Sequence, residues 1–186
     1  MNQVDILREL NSEKNLKKLS ELGELHILTK HYLLLAEELS EDGISFLQPL
    51  KEHRDAYDHF MRIFALPHRN EQEFGKNFDV VKYIEENVSK AYGHEYRAFF
   101  DTADWLTFIC RKYIRQALSY HSIKKRYEND YKDYNDIKSI INDIPYKIAK
   151  YREQKDISDN NVIKEVYKYK DTLEELLKIY KRIKDM

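Results

Sequence analysis

Apolar residues recur along most of this chain at spacings of three, four and seven, the period of a helix buried along one side. Over residues 4–40, Leu16, Leu19, Leu22, His26, Tyr32 and Leu33 fall near that spacing and predict one helix or two abutting ones. Ser12 is suited to cap a restart near Glu13, because its hydroxyl can accept a bond from an early helical N–H. Glu41-Asp42-Gly43 is a stop, with Gly43 in the left-handed C′ position. A second helix is expected over residues 45–65, with Phe46, Leu47, Leu50, Tyr57, Phe60, Met61 and Phe64 as its apolar surface. Pro49 suits its first turn, where no intrahelical donor is lost. The segment from Leu66 through Pro67 to Asn70 ends it, and the polar stretch to Asn77, with Gly75, is a loop.

A third helical region starts near Phe78. Gly93 interrupts the pattern, but an internal glycine costs only about 1 kcal/mol, so a continuous helix is allowed. From His94 to His121 the pattern is strongly helical, with Phe99, Ala103, Leu106, Ile109 and Cys110 as a buried stripe. The clearest periodicity follows. Tyr113, Tyr120, Tyr127, Tyr134, Ile141 and Ile148 are seven apart, and Ile123, Ile137 and Ile144 fall between them. Such a heptad seam predicts a long helix packed on another helix. Pro145 is expected to break or restart it, with Asp143 as the new N-cap. A polar turn over residues 154–161 then leads to a last helix carrying Val162, Val166, Tyr169, Leu173, Leu176, Tyr180 and Ile183 on one side.

These elements predict an all-α protein: an antiparallel helical bundle over residues 1–121 and a long C-terminal αα-hairpin, a coiled-coil-like arm, over 122–186. The arm is expected to pack on the bundle or on a partner. Composition agrees. Four Gly and three Pro are too few for the turns of a β-protein, and 35% charged residues suit long helices with solvated faces. The net charge of −1 excludes a globally basic nucleic-acid binder but not a local basic patch. Cys110 is the single cysteine, which favours a reducing compartment, and its apolar neighbours predict a buried thiol. The N-terminus lacks the layout of a signal peptide, and Tyr32 to Ala36 is too short an apolar run to span a bilayer. A cytoplasmic protein with no membrane partner is the expectation.

No Gly-rich phosphate loop, paired cysteines, His-Glu-x-x-His or repeated Glu-x-x-His occurs, so nothing points to a cofactor or to a metal site. One short run carries chemistry: Arg54-Asp55-Ala56-Tyr57-Asp58-His59. Cutting RNA without metal needs a group that titrates near neutrality and a fixed cation for the charge of the transition state; His and Arg supply these. On one helix Arg54 and His59 point about 140° apart, so a second copy packed on that helix would complete the site. Asp55, one turn before His59, is placed to orient the imidazole. Arg62/His68 and Arg115/His121 are looser matches; the first runs into Pro67, and Gln follows the Arg of the second.

Arg54-Asp55-x-x-x-His59 resembles the Arg-polar-x-x-x-His signature of HEPN domains (higher eukaryotes and prokaryotes nucleotide-binding). The resemblance covers residues 13–121 as helix order and polarity, and does not include the arm. The run from Glu52 to Arg62 and the run His94-Glu95-Tyr96-Arg97-Ala98-Phe99-Phe100-Asp101 add to it. The resemblance implies a metal-independent endoribonuclease of the toxin or antiviral-defence kind, with a composite site at a homodimer interface. Arg54, His59 and Asp55 would be catalytic, with Asp58, His94, Arg97 and Asp101 as a supporting polar cluster.

Between Leu106 and Tyr127 no acidic residue occurs, while Arg111, Lys112, Arg115, Lys124, Lys125 and Arg126 do. This stripe is either an RNA-backbone track or the counterpart of Glu37, Glu38, Glu41 and Asp42. The alternative function is a non-catalytic helical subunit that binds a protein partner through the arm, or a regulator that binds RNA or nucleotide. Arg54–Asp58, Asp55–His59 and Arg97–Asp101 as plain i,i+4 pairs belong to that alternative.

Overall fold

The computed structural model describes residues 3–40, 46–69, 78–120, 131–153 and 162–185. The helices are α1 (Gln3–Leu10), α2 (Glu13–Leu39), α3 (Leu47–Ala65), α4 (Val80–Ser119), α5 (Tyr131–Glu153) and α6 (Val162–Lys184), with a 3-10 turn at Leu66–His68. No strand occurs among the described residues, so the chain is an all-α helical bundle. None of their helices is long and apolar enough to cross a membrane. The expected stop at Gly43, the loop around Gly75 and the turn over residues 154–161 lie outside the described residues.

The chain divides into two compact units. One holds Met1–Leu34 and Ser45–Thr102, the other Leu35–Ile44 and Ala103–Met186. The division falls inside α2 and α4, whereas the boundary expected after residue 121 lies outside the described residues.

In the first unit the chain breaks at Asn11-Ser12 and restarts as expected. The Asn15 N–H donates to Ser12 Oγ at 3.4 Å, while the buried Asn15 side chain donates back to the Glu9 carbonyl at 3.0 Å. Residue pairs give the helix directions. Lys14 meets Glu85, Lys18 meets Ser89 and Tyr32 meets Phe99, so α2 and α4 run parallel. His59 meets Asn87 while Glu52 meets His94, so α3 runs against α4. The result is an up-down-up arrangement. Ile6 and Leu10 of α1 close one end against Ile63, Leu66, Ile84 and Val88. Helix α4 continues through Gly93. The buried Ala91, Tyr92, Tyr96 and Phe99 around it outweigh the glycine, since each large apolar side chain buried contributes roughly 1.5–3 kcal/mol.

The second unit repeats the plan. On α6, Val166, Tyr169, Leu173, Leu176, Tyr180 and Ile183 are all buried, and α5 faces them with Ile137, Ile141, Ile144 and Ile148. Tyr151 packs on Tyr169 and Lys147 pairs with Glu175, so α5 and α6 are antiparallel partners. The rings of Tyr113 and Tyr180 lie 4.8 Å apart, and Tyr169 donates to the Asp104 carboxylate. The hairpin therefore packs on the second part of α4.

Three expectations are corrected. Tyr120, placed on the heptad seam, is 64% exposed just past the end of α4 at Ser119. Pro145 neither ends nor restarts a helix: α5 runs through it, and Asp143 is an exposed helical residue. An internal proline costs about 3 kcal/mol, which the buried isoleucines on either side offset. The residues expected to form the apolar surface of the second helix do not form its inward face: Leu47 is 73% and Tyr57 65% exposed, and Phe46, Leu50 and Met61 are exposed too. The face turned inward carries Pro49, Glu52, Ala56 and Ile63.

Candidate functional site: a reciprocal histidine–glutamate cluster

The inward face of α3 places Glu52, His53 and His59 against Asn87, His94, Glu95 and Arg97 of α4. Residues 52, 56, 59 and 63 follow a four-three-four spacing, so polar side chains occupy positions that a helix turns to its neighbour. Two adjacent residues on each helix pair crosswise. His94 Nδ1 lies 2.8 Å from Glu52 Oε2, and His53 Nδ1 lies 2.9 Å from Glu95 Oε1.

The Glu52 half of the cluster is completed by an arginine. Arg97 Nε donates to Glu52 Oε2 at 2.8 Å, and Gln48 Nε2 donates to Oε1 at 3.1 Å. Burial works to raise the Glu52 carboxyl, but the hydrogen bonds and charges of His94 and Arg97 hold it below its ordinary range. Arg97 Nη2 also lies 2.7 Å from His94 Nδ1. A single ring nitrogen cannot accept from the guanidinium and donate to the carboxylate together. The carboxylate is the stronger acceptor, so Nδ1 is the donor and Nε2 is left for proton exchange.

His59 stands beside this pair. Its ring stacks on that of His94, with centroids 5.3 Å apart and planes at 24°. Its Nδ1 lies 3.0 Å from Asn87 Oδ1, and Asn87 Nδ2 donates to the Tyr83 carbonyl at 2.8 Å. That second bond turns the amide so that its oxygen faces His59. Nδ1 therefore carries the proton, and Nε2 carries the lone pair of a general base.

Several expected site residues pair otherwise than the helical spacing suggested. Arg54 is exposed and closes on its neighbour, with Nε and Nη2 at 3.0 and 2.7 Å from Asp55 Oδ1. This contact holds the Asp55 carboxyl below its ordinary range. The expectation that Asp55 orients His59 is thus corrected, because Asn87 does so. Asp58 pairs with Arg62, not Arg54, and Arg97 pairs with Glu52. Asp101 is half-buried one turn beyond Arg97 on α4. In the second unit Arg111 donates to the Thr107 carbonyl, while Lys112 and Arg115 are exposed. Lys112 also lines a cleft with Glu38, Trp105, Tyr113 and Tyr180. Lys124, Lys125 and Arg126 lie outside the described residues.

His26 of α2 joins the other half of the cluster. Its Nδ1 lies 3.3 Å from Glu95 Oε1, and its ring meets that of His53 edge-on at 5.2 Å. His26, His53 and Glu95 can each offer a ligand atom, all within 4.8 Å of one another. Sequence reasoning named neither Glu52, His53 and Glu95 as site residues, nor Asn87 and His26. The available signal was the pair of mirrored dipeptides, Glu52-His53 and His94-Glu95, on neighbouring helices.

No family model, no curated protein and no solved structure matches this chain.

Proposed function

We propose that the chain is a HEPN-like endoribonuclease of the toxin or antiviral-defence kind, working without a metal ion in the chemical step. The observation that carries this reading is the stacked His59–His94 pair, in which each Nδ1 is held by a different kind of acceptor. His59, on a neutral amide, suits a general base. His94, with Nδ1 on the Glu52 carboxylate, takes the part of the general acid. His59 Nε2 takes the proton of a ribose 2′-hydroxyl, whose oxygen attacks the adjacent phosphorus. His94 gives a proton to the departing 5′-oxygen. The products are a 2′,3′-cyclic phosphate and a free 5′-hydroxyl.

Charge on the phosphate oxygens calls for a cation. Arg54 supplies it in this reading, leaving Asp55 for the phosphate, from a second copy packed on α3. The exposed Leu47, Leu50, Tyr57 and Met61 flank Arg54 on that helix and favour such a homodimer. The same exposed residues favour the competing reading, a non-catalytic subunit that binds a protein partner.

Single-stranded RNA incubated with the full chain and excess chelator separates the two. The proposal expects cleavage that leaves cyclic phosphate ends, and loss of at least about 100-fold in rate for His59→Ala, His94→Ala and Arg54→Ala. Circular dichroism establishes that each variant is folded. Full activity in both His59→Ala and Arg54→Ala, or no cleavage by the unaltered chain, rejects it in favour of the binding subunit.

A further inference from the structure

The two crossed histidine–glutamate pairs differ in one respect. Among the described residues Glu52 pairs with an arginine and Glu95 with none. Glu95 is 4% exposed, and the side chains that reach it are two imidazoles, both on Oε1. Its other oxygen, Oε2, is buried without any hydrogen-bond partner. A buried carboxylate oxygen left unpaired is costly, and a carboxylate without a cation more so. Among the described residues, no arginine or lysine brings to Glu95 the positive charge that Arg97 brings to Glu52.

We propose that His26, His53 and Glu95 bind a divalent cation of the zinc class. Two imidazoles and a carboxylate form a borderline nitrogen–oxygen donor set suited to such an ion, and calcium or magnesium would demand more oxygens. The Nδ1 to Oε1 separations of 3.3 and 2.9 Å are close to the edge of a zinc tetrahedron, which is about 3.3 Å for bonds near 2.05 Å. An ion among these atoms replaces the ring protons in bridging them, and Oε2 gains a cation within reach. The His26 side chain is 51% exposed, so solvent supplies both an entry path and a fourth ligand. The three ligands come from α2, α3 and α4, so the ion ties together the three long helices of the first unit. His59 and His94 are not ligands, and this inference stands apart from the RNA-cleavage reading.

The test is titration of the metal-stripped full chain with Zn2+ by calorimetry, and with Co2+ by visible absorption. One equivalent is expected to bind with proton release, to give a four-coordinate Co2+ spectrum, and to raise the melting temperature. His53→Ala and Glu95→Gln should each weaken binding by more than about 100-fold, while His31→Ala leaves it unchanged. His26→Ala, at a half-exposed position, carries the same test should either of these variants fail to fold. Retention of wild-type affinity in these variants, or no binding by the unaltered chain, overturns the proposal. Binding is measured without RNA and cleavage with chelator, so failure of one leaves the other standing.

Discussion

Glu52→Gln isolates the charge at the centre of the cluster with almost no change in volume. In the native chain Glu52 accepts charge-assisted hydrogen bonds from His94 and Arg97, both at 2.8 Å. Such bonds contribute about 1.5–3 kcal/mol each. Glutamine retains one acceptor oxygen, and the Arg97 side chain is 42% exposed, so water takes over part of what is lost. The net destabilisation is about 2 kcal/mol at neutral pH, or roughly 4–8 °C in melting temperature for a chain of this size. Thermal unfolding followed by circular dichroism measures it. The pH dependence gives a second check. The folded carboxyl is held below its ordinary value of 4.5, so between the folded and unfolded values the unfolded chain binds more protons. The contribution is present above about pH 4.5 and is lost as the pH falls through the lower folded value. The difference between wild type and variant should therefore shrink in acid. A variant within about 0.5 kcal/mol of wild type at neutral pH, or a gap that widens in acid, would refute this account of Glu52.

Three further outcomes are expected. Leu176→Ala, at a fully buried position of α6, should cost about 2–5 kcal/mol in urea unfolding, whereas Tyr146→Ala, 78% exposed on α5, should stay within about 0.5 kcal/mol. Pro145→Ala should raise stability by up to about 3 kcal/mol, since it restores a donor inside α5; unchanged or lowered stability would contradict a continuous helix there. Burial pushes the Cys110 thiol up to about 12, so an aromatic disulfide reagent at mildly alkaline pH should modify it only after denaturant is added.

The C-terminal hairpin was legible because one period governs it. Every residue from Val166 to Ile183 that the spacing turned inward is buried. Helix α3 was not legible in the same way. Its large apolar residues outnumber the inward-facing ones, and the burial of Glu52 depends on Arg97 and His94, partners more than forty residues away. Local spacing also offered His59 a carboxylate one turn back, Asp55, but that carboxylate is taken by the adjacent Arg54. The amide that holds His59 lies 28 residues on, at Asn87. His94 and Arg97 were legible as polar neighbours; their partners were not, because no periodicity links residues on different helices.

The crossed pairing of Glu52-His53 with His94-Glu95 also selects how α3 lies on α4. Apolar burial is non-directional, so the few apolar residues that α3 turns inward, Ala56 and Ile63 among them, specify a register less sharply than polar pairs do. A slip by one turn would carry both glutamates away from their imidazoles and strand two buried carboxylates at once. Breaking a buried pair costs about 3–5 kcal/mol, so even one stranded carboxylate is a large share of the 5–15 kcal/mol that holds a typical domain folded. The cluster thus serves as an address. It admits one register of the two helices and penalises the next, and every other side chain of the site inherits its position from that choice.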